Sequence, residues 1–193
     1  MARAKVEDKE KAILEAAVGV FAERGYWNTP TSLISRTAGV ADGTLFTYFK
    51  TKDELISQVY LDIKRELAEE TLDGLSDYQT VHDKMRHIWN GYIEWGIRHP
   101  ERFKVLHQIE ESFALDEAVR AQGMEPWIEI DQMVVESIQN GLFRGYPVNY
   151  LAQLIGSQAV MTIQFITAND ADGIDYKQIG FDILWNGITR GTG

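Results

Sequence analysis

Apolar residues in the first third of the chain recur at helical spacing. Ile13, Ala17, Val20 and Phe21 fall at i, i+4, i+7 and i+8 and form one core-facing stripe, which predicts a helix over residues 7–24. Gly25 ends it, and residues 1–6, with Arg3 and Lys5, read as a short arm, either disordered or touching a DNA backbone or minor groove. Two much shorter segments follow. Thr29-Pro30 reads as a helix start, a hydroxyl cap and then proline at the first helical position, where its missing N–H costs nothing. Leu33, Ile34, Thr37 and Ala38 give barely two turns, and Gly39 stops them because glycine takes the left-handed conformation cheaply. Val40 fills the corner, and a second short helix is expected over residues 41–48. Two short helices joined by a glycine turn make a helix-turn-helix. Thr51 can cap a longer helix over residues 51–72, with Leu55, Val59, Tyr60, Ile63 and Leu67 on its buried side.

The rest of the chain keeps the helical period. Val81, Met85, Ile88, Trp89, Tyr92 and Trp95 mark a helix over residues 80–98, which His99-Pro100 breaks before a shorter one through Val105 and Ile109. A long pattern over residues 116–140 contains Pro126, so a kink or break is expected there. Pro147 opens a helix to about residue 167, apolar on two sides, and a polar loop over 169–175 leads to a last helix over 176–189. No strand pattern or internal repeat is present. The prediction is an all-α fold of about nine helices. A three-helix DNA-binding domain takes residues 1–50, and a larger helical domain takes residues 51–193.

Charge sharpens this division. The net charge of −10 is unevenly spread. Residues 1–52 carry eight Lys/Arg against six Asp/Glu, a balance of +2, and the remainder carries 11 against 23, a balance of −12. Only the helix-turn-helix end should approach phosphate. There is no cysteine, which excludes disulfides and thiolate metal sites. No apolar run is expected to reach the ~20 residues that span a bilayer, and the start is too polar for a signal peptide, so a cytoplasmic location is expected. His82, His87, His99 and His107 are scattered without paired Glu-x-x-His units, and no Ser-His-Asp spacing, phosphate loop or zinc motif appears. Neither an enzyme nor a metal or other cofactor is expected.

Residues 25–55 also carry a resemblance. Thr29, Ile34, Ala38, Gly39, Val40, Gly43, Thr44, Leu45, Tyr48, Phe49, Lys52 and Leu55 match, at fixed spacing, the signature of the TetR family of bacterial transcriptional regulators. Pro30, Ser35, Ala41 and Phe46 depart from it: Ala41 loses a small hydroxyl at the recognition-helix entry, and Phe46 a phenol that could donate to phosphate. Residues 1–10, 88–103 and 180–185 further resemble the RamR-type multidrug-efflux regulators within that family. The resemblance implies a repressor released from its operator when a small molecule enters a cavity between the body helices and shifts the helix that begins near Thr51.

The candidate DNA contacts are Thr31, Ser32, Asp42, Gly43, Thr44, Thr47, Tyr48 and Lys52. Thr31 and Ser32 are placed to bond phosphates. Gly43 lets the backbone approach the duplex, and Thr47 can touch a thymine methyl. Thr44, Tyr48 and Lys52 match positions that contact DNA in the family. Asp42 either accepts from a cytosine amino group or caps its own helix. One such head reads few bases, so two heads on a near-palindromic double-stranded operator, hence a homodimer, are expected. The two-faced helices suggest Trp127, Val134, Ile138, Leu151, Gln158 and Thr162 as the dimer surface. Tyr60, Trp89, Tyr92, Phe113, Ile155 and Phe165 are the candidates to line the cavity that the resemblance implies, around a small hydrophobic or aromatic effector. Glu94, Glu110 and Glu111 could draw a cationic one. A DNA-binding dimer without small-molecule control stays open beside this reading.

Overall fold

The structure is a computed structural model that describes residues 2–112, 115–169 and 173–190, with side chains from Asp8 onward. These residues form ten α-helices and two short 3-10 turns, with no strand beyond one antiparallel bridge between Phe143 and Thr189. The chain divides into two compact units, Met1–Glu66 with His99–Glu125 and Leu67–Arg98 with Pro126–Gly193.

The first unit holds α1 (Ala2–Arg24), α2 (Thr31–Thr37), α3 (Asp42–Tyr48), most of α4 (Lys52–Leu72), α6 (Pro100–Glu110) and α7 (Glu117–Met124). α1 begins earlier than its apolar stripe predicts, because the run from Ala2 to Glu7 contains good helix formers and no breaker. The expected arm is therefore helical, and the side chains of Arg3 and Lys5 lie outside the described residues. Ile13, Ala17 and Phe21 are fully buried, as are Ile34, Leu45, Leu55, Val59 and Ile63. Around this core Arg102 of α6 joins three helices: it pairs with Glu15 of α1 and reaches Asp62 at 3.1 Å and Glu66 at 3.5 Å on α4. Burial opposes the Arg102 charge, but the three carboxylates outweigh it and hold the guanidinium pKa above its usual value.

The second unit holds α5 (Val81–Arg98), α8 (Ile128–Gln139), α9 (Val148–Ala168) and α10 (Tyr176–Ile188). Pro126 sits in a 3-10 turn that separates α7 from α8, so the long pattern breaks where the proline removes a backbone donor. α9 packs against α5 and α10. Its neighbour Trp89, on α5, is buried, with its indole N–H donating to the Lys177 carbonyl at 2.9 Å. Gly180 of α10 packs against side chains of the other two helices: a Cβ there would lie 2.7 Å from Trp89 and 2.9 Å from the Thr162 hydroxyl. One expectation needs correcting. α9 has 21 residues, no charged side chain and the length and apolar character of a membrane span, yet only 22% of that stretch is buried within the chain. Its glutamines and small residues interrupt the run by eye, but they do not lower its mean hydropathy below span level.

Candidate nucleic-acid interface

The turn between α2 and α3 is set by backbone chemistry. Gly39 adopts φ +69°, which ends α2, and the Val40 N–H donates back to the Ser35 carbonyl at 2.9 Å. The entry to α2 differs from expectation. Thr29 is not its cap: its buried hydroxyl donates to the Gly25 carbonyl at 2.8 Å, and Pro30, in extended conformation, takes the cap position without a side-chain bond. At α4 the expected cap is present, with Thr51 Oγ1 accepting from the Glu54 N–H at 3.0 Å. Glu54 in turn accepts from the Lys50 N–H at 2.6 Å, which fixes the basic segment directly after α3.

Asp42 does not take the capping role open to it in the sequence. It is the first residue of α3, no side chain caps that helix, and its carboxylate accepts the hydroxyl of buried Ser35 on α2. Leu45 and Phe49 bury the inner side of α3. Asp42, Gly43, Phe46 and Thr47 are exposed, and Thr44 and Tyr48 are half-buried at the flanks. The Thr47 hydroxyl donates to the Gly43 carbonyl at 2.8 Å. Lys52, half-buried at the start of α4, donates to the Trp27 carbonyl at 3.1 Å, and burial lowers its pKa. Thr31 is half-buried and Ser32 exposed at the start of α2. The structure thus brings the eight candidate DNA residues together on α2, α3 and the first turn of α4. Two exposed aromatics belong beside them: Phe46 at 43% exposure and Trp27 at 62%, the latter tilted against buried Tyr26 with ring centroids 3.9 Å apart. The signal for Phe46 was its place three residues after Gly43; Trp27 carried no periodic signal.

The candidate effector residues are more dispersed. Tyr60 is buried in the first unit, and Trp89, Tyr92, Ile155 and Phe165 lie in the second; Phe113 is outside the described residues. Burial, then the nearby Glu110, pushes the Tyr60 phenol up to about 12 against the opposing Arg120, so it stays a hydrogen-bond donor. Phe165 is 45% exposed and meets Tyr176 edge-on, on the outer side of α9. Two of the three acidic candidates are already matched: Glu94 pairs with Lys177 at 2.5 Å and Glu110 with Lys64 at 3.6 Å, while Glu111 is exposed.

Of the dimer candidates, Val134, Leu151 and Thr162 are buried in their own unit, and Gln158 donates to the Gly180 carbonyl at 2.9 Å. Val134, Leu151 and Thr162 thus face inward, whereas Gln158 is half-buried and also lines a groove beside Tyr150 and Ile183. Trp127 and Ile138 are half-buried. The outward apolar residues of α9 and α10 are instead Tyr150, Met161, Phe165, Ile179 and Ile183.

Comparison with known proteins agrees with this geometry. The family profile described as bacterial regulatory proteins, tetR family, matches residues 13–59, which span the second half of α1, all of α2 and α3, and the start of α4. The fatty acid metabolism regulator protein of Bacillus subtilis strain 168 is 25% identical over 187 residues, covering 93% of this chain and 95% of that protein. The HTH-type transcriptional regulator YhgD of the same organism is 24% identical over 139 residues, 71% of this chain and 73% of its own. A TetR family transcription regulator from Marinobacter aquaeolei VT8 shares the fold with a TM-score of 0.89 at 21% identity, over 97% of this chain and 98% of that one. The FadR regulator of Bacillus subtilis, solved in complex with stearoyl-CoA, does so at 0.73 and 24% identity, over 92% and 98%. With the helix-turn-helix formed and the family profile lying across it, residues 13–59 carry the DNA-binding domain of the tetR family of bacterial regulatory proteins, and the chain as a whole resembles transcriptional regulators of that family.

Proposed function

We propose that the protein acts in the cytoplasm as a homodimeric repressor, its two α3 helices reading the half-sites of a near-palindromic operator. A small hydrophobic or aromatic effector releases it. Residues 1–50 do the reading, and residues 51–193 bind the effector and hold the dimer. The observation that carries the dimer is the outer face of α9 and α10. Tyr150, Met161, Phe165, Ile179 and Ile183 are 44–60% exposed on two helices that pack side by side, and a groove of about 330 Å³ runs between them past Tyr146, Leu154 and Gly187. A lone soluble chain rarely shows so continuous an apolar face. Two copies meeting there bury it as a four-helix arrangement.

The full-length similarity to a fatty acid metabolism regulator, and the stearoyl-CoA held by its Bacillus relative, favour an effector with a long apolar chain. The paired Glu94 and Glu110 weigh against a cationic one. Release follows from population shift: an effector that binds one arrangement of the body better than the other lowers operator affinity by that difference.

Sedimentation equilibrium together with a gel-shift on selected operator DNA tests the reading. A dimer at micromolar concentration, converted to monomer by Ile183→Asp with loss of the shift, supports it, as does release of the shift by long-chain acyl-CoA or by planar aromatic compounds. A monomer that still shifts the operator, or an operator complex that no such compound releases, contradicts the dimer or the ligand control respectively.

A further inference from the structure

The exposed surface of α3 lacks the usual means of reading bases by hydrogen bonds. Residues 41–49 include no Arg, Lys, Asn or Gln, the side chains that make bidentate bonds to purine edges. Two polar side chains of α3 are engaged inside the protein. Asp42 accepts the Ser35 hydroxyl, which commits part of its carboxylate to α2. Thr47 gives its hydroxyl hydrogen to the Gly43 carbonyl at 2.8 Å, so this exposed side chain keeps no donor and carries a methyl group. Gly43 offers no side chain. Phe46, 43% exposed where the family signature has tyrosine, offers a ring without a donor.

Beside the half-buried hydroxyls of Thr44 and Tyr48 at the flanks, the exposed middle of α3 therefore offers a phenyl ring and a threonine side chain with its methyl group. Among the four bases only thymine carries an apolar handle in that groove, its C5 methyl. Resting on the operator-binding reading above, we infer that Phe46 and Thr47 are specificity-determining residues that read thymine methyl groups, and that each half-site carries thymine at one or two positions facing them.

The experiment starts from a duplex obtained by unbiased selection with the full-length protein. Each thymine of the half-site is then replaced in turn by deoxyuridine, which removes the methyl and keeps the pairing, and affinity is read by fluorescence anisotropy at fixed salt. The expected result is a loss of about fourfold at one or two positions, the effect of taking one methyl out of apolar contact, and no change at the others. Phe46→Ala and Thr47→Ser, both at exposed positions, should each abolish the deoxyuridine penalty at one position while leaving the salt dependence unchanged. A selected half-site without thymine, neutral deoxyuridine at every position, or a penalty that persists in both variants overturns the inference while the regulator stands. Failure to select any sequence defeats the operator-binding reading and this inference with it.

Discussion

The carboxylate of Asp42 accepts the hydroxyl of Ser35, seven residues earlier and on the preceding helix. Ser35 is 1% exposed, so its hydroxyl needs a partner, and Asp42 stands at the first position of the helix presented to DNA. The bond ties the entry of α3 to α2 and turns an acidic side chain partly away from the duplex. Two positions that look unremarkable or unfavourable separately are one device.

This predicts how substitutions at Asp42 divide. Asp42→Asn keeps an acceptor for Ser35 and removes a negative charge, so operator affinity at low salt should rise several-fold. Asp42→Ala removes the charge and the tie together. A hydrogen bond to a charged group contributes roughly 1.5–3 kcal/mol, and part of that positioning should be lost, leaving Asp42→Ala about three- to tenfold weaker than Asp42→Asn. Anisotropy titrations of the two variants check it; equal affinities would leave the bond without a role in binding.

Lys52 tests the backbone contacts separately. Its ammonium is held against the Trp27 carbonyl at the start of α4, beside the candidate phosphate contacts of α2. Lys52→Met should weaken operator and random duplex alike. The slope of log affinity against log salt should fall by about one per protomer, the signature of one lost phosphate contact. A selective loss on the operator alone would instead make Lys52 a base contact.

Gly180→Ala sets two magnitudes against each other. Within a helix, alanine is favoured over glycine by about 1 kcal/mol. Here the new Cβ would lie 2.7 Å from the buried Trp89 ring and 2.9 Å from Thr162, whose hydroxyl is bonded to the Gln158 carbonyl at 2.8 Å. Neither neighbour can swing into solvent, and overpacking of this kind costs about 1–3 kcal/mol. The expected net result is destabilisation by about 1 kcal/mol in urea unfolding, where an exposed helical glycine would show a gain.

Much of this arrangement was legible in the chain. Pro100, Pro126 and Gly39 stop helices by removing a donor or taking a left-handed turn, and such effects act wherever the residue stands. The Thr51 cap depends only on residues three apart. What escaped depends on contacts that no local pattern encodes. Thr29 resembles a cap until its hydroxyl turns back to Gly25, and Asp42 meets Ser35 only because the corner folds. α9 is apolar on both sides, so periodicity alone does not say that Leu151 and Thr162 face inward while Tyr150 and Met161 face out.

His107 on α6 gives the fold a pH dependence. Burial lowers its pKa, a shift that Lys64 reinforces and that Glu110, 3.8 Å away, and Glu111 oppose. The folded state therefore binds a proton less readily than the unfolded chain. Its contribution to stability is fully present above the ordinary histidine value of about 6.5 and is lost as pH falls below it, toward the depressed folded value. Melting temperature should drop between pH 7.5 and 5.5, and the drop should be smaller in His107→Gln. An identical pH profile in the variant would assign the dependence to other groups.

Two reading heads on one operator require stoichiometric, sequence-selective DNA binding. Sedimentation of the full-length protein with a selected palindromic duplex, at two salt concentrations and with one half-site scrambled, measures it. The expected result is two protomers or more per intact duplex, tighter binding at lower salt, and loss of the selective complex when one half-site is scrambled. Equal binding of the intact and scrambled duplexes at low salt, or a complete complex with a single protomer, would contradict it.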